Sequence, residues 1–353
     1  MEIAFDNKTI NVFTVVSRHA DLQTYTNSLA SLAQESDRLG FTGMLFFVGN
    51  DTPVDPWLAA AQVGAATRQL SPFIALNPVY MHPFSAARAI ATLASFCQRR
   101  IFINLIAGTS VAAHEALGET GYDHDRRYAR LKEYALCVHG LLTSRRPFSF
   151  NGQFYQLTNL QLPLTLPDAL RPGFYISGHS VAAQDIADAL AGERVGMISP
   201  QLENPSGRGG VYLGMVTHAD SVQAWRAAQR LFPEDLPGQQ VVDFSMQFTD
   251  AEWKKQLYQQ AQDAASAGNG YWIAPFKNHR ADCPFVVQSH QDMARMVARL
   301  IQQGTTSFII DLPEDISQLA DIRRVYSLAA ASLNASQAFR PAQKKGNEHD
   351  ASH

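Results

Sequence analysis

Residues 77–128 read NPVYMHPFSAARAIATLASFCQRRIFINLIAGTSVAAHEALGETGYDHDRRY, and this stretch decides the architecture. Pro83 opens a helix, FSAARAIATLASF, because a missing N–H costs nothing in a first helical turn. IFINLIAG then reads as a strand that is apolar throughout rather than alternating, the mark of a strand buried on both faces. Helix and strand follow one another with almost no spare residues. Asn104, His124 and Tyr128 thereby fall where βα loops meet.

The same rhythm runs outward in both directions. Upstream lie a strand at NVFTVV (Asn11 to Val16) and a helix from Tyr25 to Leu39 stopped by Gly40. A buried strand GMLFFV (Gly43 to Val48), a helix opened by Pro56 and a third strand FIAL (Phe73 to Leu76) follow. Downstream, a helix from Asp125 to Leu142, capped by Asp125, precedes FNGQFYQL, which reads as a hairpin turning at Asn151-Gly152. GFYISGHSVAAQDIADAL supplies a fifth strand, a tight turn and a fifth helix, and ERVGMI and GVYLGMVTH supply two more strands. Phe232 to His290 is irregular and polar, a loop or short helical insertion. DMARMVARLIQQGTTSFIIDL is helix, turn and strand, with a last helix from about Ile316 to Ala338.

About eight strands with interleaved helices predict an α/β TIM (β/α)8 barrel with an insertion before its last βα unit. One barrel domain spans residues 1–338, and the patternless polar tail, 339–353, is expected to be disordered. SPQLENPSGRG, between Ile198 and Gly210, leaves no room for a crossover helix, so the barrel is expected to be irregular around 198–210. An open doubly wound sheet is the alternative, but no GxGxxG follows the first strand.

Composition narrows the partners. The chain has 353 residues, 46% hydrophobic and 17% charged, with a formal net charge of −3. A near-neutral surface favours neither nucleic acid nor an anionic membrane. No apolar run is long enough to cross a bilayer, and the N-terminus lacks the basic start of a secretory signal. Cys97, Cys137 and Cys283 are widely spaced, fit no metal pattern and read as reduced thiols, which points to the cytoplasm.

In such a barrel the chemistry lies at the C-terminal strand ends. There the sequence puts Phe46 and Phe47, Asn77, Asn104 with Ala107 and Gly108, and the Ser177-Gly178-His179-Ser180 turn. The set is aromatic and amide-rich, poor in acids, and suits a flat heteroaromatic ligand carrying a phosphate. Gly178 allows close backbone approach, and Ser180 begins a helix whose first N–H groups favour an anion. Ser180 either caps that helix alone or shares the turn with a phosphate. Asn104, inside an apolar strand, needs a partner from a ligand or from a neighbouring loop. His82, before Pro83, is a candidate base or a surface histidine. Tyr80 and Tyr212 complete an aromatic lining that motivates an uncharged or weakly polar substrate.

Several spaced motifs, DRLGFTGMLF, DPWLAAA, AARAIATL, RIFINLIAG, HDRRYARLKEY and YISGHSVAAQDIA, occur in an order that resembles the bacterial luciferase-like flavin-dependent monooxygenases, nearest to the two-component alkanesulfonate monooxygenases. The resemblance implies a barrel that binds reduced FMN delivered by a separate NAD(P)H-dependent flavin reductase. It implies oxygen activation on the flavin as a peroxyflavin, and pairing of two copies. Carried across, Asn104, His124 and Tyr128 line the flavin, with Phe46, Ala107 and Ser177 beside it, and Tyr128, Gly178, His179 and Ser180 surround its phosphate. His82, Asn104 and Tyr212 are the candidate catalytic residues.

The chain departs from that pattern. Asp51-Thr52-Pro53 stands near the family's cysteine, Tyr212-Leu213-Gly214 stands on its Arg-x-His, Leu312 on its tyrosine and Ala107 on its threonine. A buried sulfonate would lack a fixed cation, an expensive arrangement. Desulfonation is therefore disfavoured. A catalytically degenerate flavin-binding relative and a deazaflavin-dependent oxidoreductase remain alternatives.

Overall fold

A computed structural model of the chain describes residues 3–6, 8–16, 21–50, 52–108, 111–178, 180–247, 249, 251–262, 268–312 and 316–338. His179, Asp51 and the tail 339–353, all named above, lie outside the described residues.

Eight parallel strands close into a barrel: β1 (Lys8–Val15), β2 (Gly43–Phe46), β3 (Ser71–Leu76), β4 (Phe102–Leu105), β5 (Gly173–Ser177), β6 (Glu193–Met197), β7 (Gly209–His218) and β8 (Thr305–Asp311). Closure is the pairing of β8 with β1, in the register Ser307 to Asn11 through Ile310 to Thr14. The helices α1 (Leu22–Arg38), α2 (Pro56–Ala66), α3 (Pro83–Cys97), α4 (His124–Thr143), α5 (Val181–Leu190), α6 (Ser221–Leu231), α7 (His290–Gln302) and α8 (Gln318–Ala338) surround it.

Local chemistry sets these boundaries. Pro56 and Pro83 occupy first helical turns, with Asp55 accepting from the N–H groups of Trp57 and Leu58 and His82 accepting from Phe84. Gly40 takes φ +76 just past α1, the left-handed conformation that glycine adopts without strain. Asp123, not Asp125, caps α4: its carboxylate accepts from Arg126 N at 2.8 Å, while Asp125 is already inside the first turn. The hairpin also differs from expectation. Asn151 pairs with Gln156 as the last strand residue, so the turn runs through residues 152–155.

Strand alternation divides the side chains between two layers. Phe13, Leu45, Phe73, Phe102, Tyr175, Val195 and Ile309 fill the lumen. Their neighbours Val12, Met44, Phe46, Ile74, Ile103, Leu105, Ile176, Phe308 and Ile310 pack outward in the layer between strands and helices. The lumen is a packed core, as this fold requires.

The crossover from β6 to β7 has no helix among its described residues. The barrel stays closed because β7 pairs with β6 over Gly210–Tyr212 and with β8 over Gly209–Gly214, with a register shift at Gly209/Gly210. Among its described residues the region from Phe232 to His290 carries more regular structure than its polar sequence suggests. It holds helices Leu236–Ser245 and Glu252–Gln262 and a strand Phe285–Ser289 parallel to the far half of β7. Ile198 N donates to Tyr212 O, and two residues later Gly214 N donates to Pro284 O. Positions two apart share an edge, so the extra strand takes over the edge of β7 that β6 leaves. Against it α6 packs Ala224, Ala227 and Ala228 over Val216, Phe285 and Val287. Among the described residues no helix is long and apolar enough to cross a membrane, and no cluster of His, Cys, Asp or Glu is arranged to hold a metal.

Candidate active site

The floor of the barrel mouth is aromatic. Phe13, Phe73, Phe102 and Tyr175 pack with ring centroids 4.7–6.1 Å apart at tilted or edge-on angles, the favoured aromatic geometries. Alternation along β4 and β5 puts Asn104 two residues above Phe102 and Ser177 two above Tyr175, on the same lumen face. Ser177 Oγ donates to Asn104 Oδ1 at 2.9 Å. That bond fixes the amide's orientation and turns its NH2 end away from the serine. Asn104 is 7% exposed.

Beside Ser177 the chain turns through Gly178, whose φ of +128 is a conformation that side-chain-bearing residues rarely adopt. A Cβ at Gly178 would lie 2.8 Å from the Tyr128 hydroxyl, so turn and tyrosine approach as closely as glycine permits. Tyr128 donates to Ser177 O at 3.3 Å. Burial raises the pKa of its phenol, against smaller lowering effects from Ser180 and Arg127, so it remains a protonated donor. Ser180 caps α5, its hydroxyl accepting from Ala183 N at 3.2 Å. The N–H groups of Val181 and Ala182, ahead of that bond, have no intrahelical partner. His124 begins α4 with its ring 4.7 Å from that of Tyr128 and its Nδ1 3.1 Å from Asp125 Oδ1.

The predicted residues thus divide. Asn104, Ser177, Gly178, Tyr128 and His124 come together along β4, β5 and α4. Ala107 is buried just past β4, beside Gly108. Tyr212 stands on the lumen face of β7 and donates to Asp311 Oδ2 at 2.6 Å. Asp311 is 4% exposed and also receives the Cys283 thiol at 3.7 Å. Phe46, expected at the mouth, packs outward with Met44, and it is Phe47 that abuts the lumen cluster. His82 is exposed and its Nδ1 is committed to Phe84 N at 3.2 Å, which makes it a helix cap rather than a group aimed into the mouth.

Sequence reasoning passed over His114 and Asp311. His114 is buried in the short helix Val111–Ala116 and packs so closely on Gly108 that no Cβ would fit there. It lies with Asn77, Ala107 and Arg127 around a cavity of about 10 Å³, room for one water. A larger cleft of about 240 Å³ opens between the loops that follow β2 and β3.

This geometry suits a flat ligand that carries a terminal phosphate. The glycine turn under a tyrosine hydroxyl and a helix start can cradle a phosphate, while Asn104 and the aromatic floor can meet a flat polar ring.

Comparison with known proteins gives the same direction. A family model described as Luciferase-like monooxygenase matches residues 9–197. The 4-(gamma-L-glutamylamino)butanoyl-[BtrI acyl-carrier protein] monooxygenase BtrO of Niallia circulans is 25% identical over 308 residues, covering 84% of this chain and 89% of that protein. Among solved structures, DmoA from Hyphomicrobium sulfonivorans superposes with a TM-score of 0.69 at 15% identity, covering 98% of this chain and 91% of its own. The oxygenating constituent of 3,6-diketocamphane monooxygenase from the CAM plasmid of Pseudomonas putida, solved with FMN, gives 0.66 at 14% identity, covering 92% and 98%.

Proposed function

The chain belongs to the luciferase-like monooxygenase family and is a flavin-dependent monooxygenase, and from that premise we propose that it binds reduced FMN, supplied by a separate NAD(P)H-dependent reductase, to oxygenate a small, uncharged or weakly polar organic substrate. The observation that carries the cofactor assignment is the Gly178 turn, closed between the Tyr128 hydroxyl and the start of α5. It is built to hold a terminal phosphate. The bound reduced flavin supplies oxygen activation, which relieves the protein of providing an oxidant.

The chain's own residues then bind, orient and exclude water. Tyr128 and the first N–H groups of α5 hold the phosphate. Asn104, fixed by Ser177, orients the ring through its amide. The aromatic floor keeps the reacting end dry. Tyr212, its proton engaged by Asp311, is the phenol placed to position substrate at the far side of the mouth. The missing crossover helix does not argue for a degenerate relative, since the strands on either side stay paired. Leu58 and Phe96, 72% and 82% exposed on α2 and α3, support pairing of two copies through the first-half helices.

The test is calorimetric titration with FMN in both redox states and with a reduced deazaflavin, alongside oxygen consumption with a flavin reductase and NADH. Uptake of FMN in preference to the deazaflavin, with substrate-dependent oxygen use, is expected. No uptake of either redox form of FMN overturns the assignment.

A further inference from the structure

We infer that the Tyr212–Asp311 pair selects substrates that carry a neutral hydrogen-bond donor, a hydroxyl or an amide N–H, and receives that donor on the phenol oxygen. The inference rests on the flavin reading of the mouth and adds the chemistry that its far side demands of the substrate.

Position comes first. The strands of the barrel close in sequence order, with β8 against β1, so β8 lies four strands from β4 in either direction round the ring. Asp311, the last residue of β8, therefore stands opposite Asn104 of β4 across the mouth. In the β7–β8 register Tyr212 pairs with Ile309, and both belong to the lumen cluster. Residues two apart on a strand share a face, which puts Asp311 on the lumen side one step above Ile309. Tyr212 is half-buried, whereas Asp311 is only 4% exposed. The phenol reaches the mouth and the carboxylate stands behind it.

Bond directions decide the chemistry. Tyr212 Oη donates to Asp311 Oδ2 at 2.6 Å, and the Cys283 thiol donates to the same oxygen at 3.7 Å. Two donors converging on one oxygen suit an ionised carboxylate, which accepts and has no proton to return. The tyrosine bond also has the charge-assisted length, about 2.5–2.7 Å for a hydroxyl donating to an anionic oxygen. A phenol has one proton, and here it is committed. Toward any further group the Tyr212 oxygen is therefore an acceptor. The pull of the carboxylate on that proton concentrates charge on the phenol oxygen and strengthens the bond it accepts.

The same directions exclude other groups. A carbonyl, ether or ester oxygen set against Tyr212 brings lone pair to lone pair, and it loses water there without gaining a donor. A hydroxyl or amide N–H instead completes a chain, from substrate to Tyr212 and from Tyr212 to Asp311. On the opposite side Asn104 Oδ1 accepts from Ser177 Oγ, and the amide presents its NH2 group. The mouth thus offers a donor at β4 and an acceptor at β7. Asp311 touches no substrate in this arrangement and is a positioning residue, acting through the phenol.

2-Phenylethanol and benzyl methyl ether separate the two possibilities, being isomers of which only the alcohol carries a donor. Each is titrated calorimetrically into the full chain with FMN present. The alcohol is expected to bind about tenfold more tightly, the worth of one hydrogen bond. Tyr212→Phe should weaken the alcohol about tenfold and leave the ether unchanged. Asp311→Leu releases the phenol's proton, so the ether should tighten and draw level with the alcohol, a gain that lost packing would not produce. Should Asp311→Leu fail to fold, Asp311→Asn, whose NH2 can donate to the phenol and release its proton, should narrow the preference about threefold or more. Equal or absent binding of the isomers by the native chain overturns the inference. So does an undiminished preference in Tyr212→Phe or in whichever Asp311 variant folds. FMN titrated into the same chain keeps the two readings apart. FMN uptake without a donor preference sinks the selection alone, and a donor preference without FMN uptake sinks the cofactor assignment and leaves an acceptor site.

Discussion

Gly178 shows how a single residue joins conformation to binding. Its φ of +128 excludes ordinary side chains, and its missing Cβ leaves the space into which Tyr128 points. Gly178→Ala is therefore expected to cost about 1–3 kcal/mol of local strain. It should also weaken FMN at least tenfold, because the turn would move away from the hydroxyl proposed to hold the phosphate with it. Flavin-fluorescence titration and thermal melting measure the two effects, and an alanine variant that binds FMN like the native chain would contradict the cradle. Gly178 and Asn104 stand out in the sequence as candidates because each breaks the local pattern, a glycine at a strand-to-helix turn and an amide in an apolar strand. Phe46 and Phe47 were not separable in that way. GMLFFV is apolar at every position, so sequence could not say which ring faces the lumen; register assigns it to Phe47. His114 gave no signal, since its contact with Gly108 is made by chain folding back rather than by spacing.

Elements were legible where local chemistry suffices and obscure where partners lie far along the chain. The prolines of α2 and α3 marked helix starts to the residue. At α4 the sequence reading put the cap at Asp125, and backbone geometry moves it to Asp123. Asp123 is extended, with φ −68 and ψ 176, and its carboxylate reaches Arg126 N, whereas Asp125 is helical and solvent-exposed. Asp123→Ala should thus cost about 1 kcal/mol in urea denaturation, against under about 0.5 kcal/mol for Asp125→Ala. Equal losses would show that the cap is not where the geometry puts it. Because α4 carries both His124 and Tyr128, the Asp123 variant should weaken FMN as well. The strand Phe285–Ser289 escaped the sequence reading for the opposite reason. PFVVQS is short and sits in polar text, and it becomes a strand only because β6 ends at Met197 and leaves the far half of β7 an open edge.

For the whole molecule, the repeated strand–helix rhythm was enough to predict a barrel, because parallel strands joined by short crossovers leave few other closed arrangements. The helix-free crossover survives by tertiary anchors the sequence does not announce: Arg299 of α7 donates to Leu202 O at 3.0 Å, and Asn204 Nδ2 donates to Thr305 Oγ1 at 3.1 Å. The barrel's large buried hydroxyls set its response to alkali. Burial lifts the phenols of Tyr134, Tyr175, Tyr271 and Tyr326 above the ordinary 10.0, and it lifts the Cys137 thiol from 9.0 to about 12. Each group keeps its proton when folded at a pH where the unfolded chain releases it. The unfolded state then binds fewer protons, and stability falls as pH rises. The contribution is whole below about pH 9, where both states are protonated, and is lost progressively above it, first through Cys137 and then through the tyrosines. Each group contributes a slope of up to about 1.4 kcal/mol per pH unit, so the four tyrosines together are expected to remove up to about 5.6 kcal/mol per unit once the unfolded chain titrates. Urea midpoints should drop steeply past pH 10, and the tyrosinate absorbance of these four should appear only as the barrel unfolds. Full tyrosinate formation in a chain that remains folded would show that the interior admits charge, contrary to the dry aromatic floor on which the active site stands.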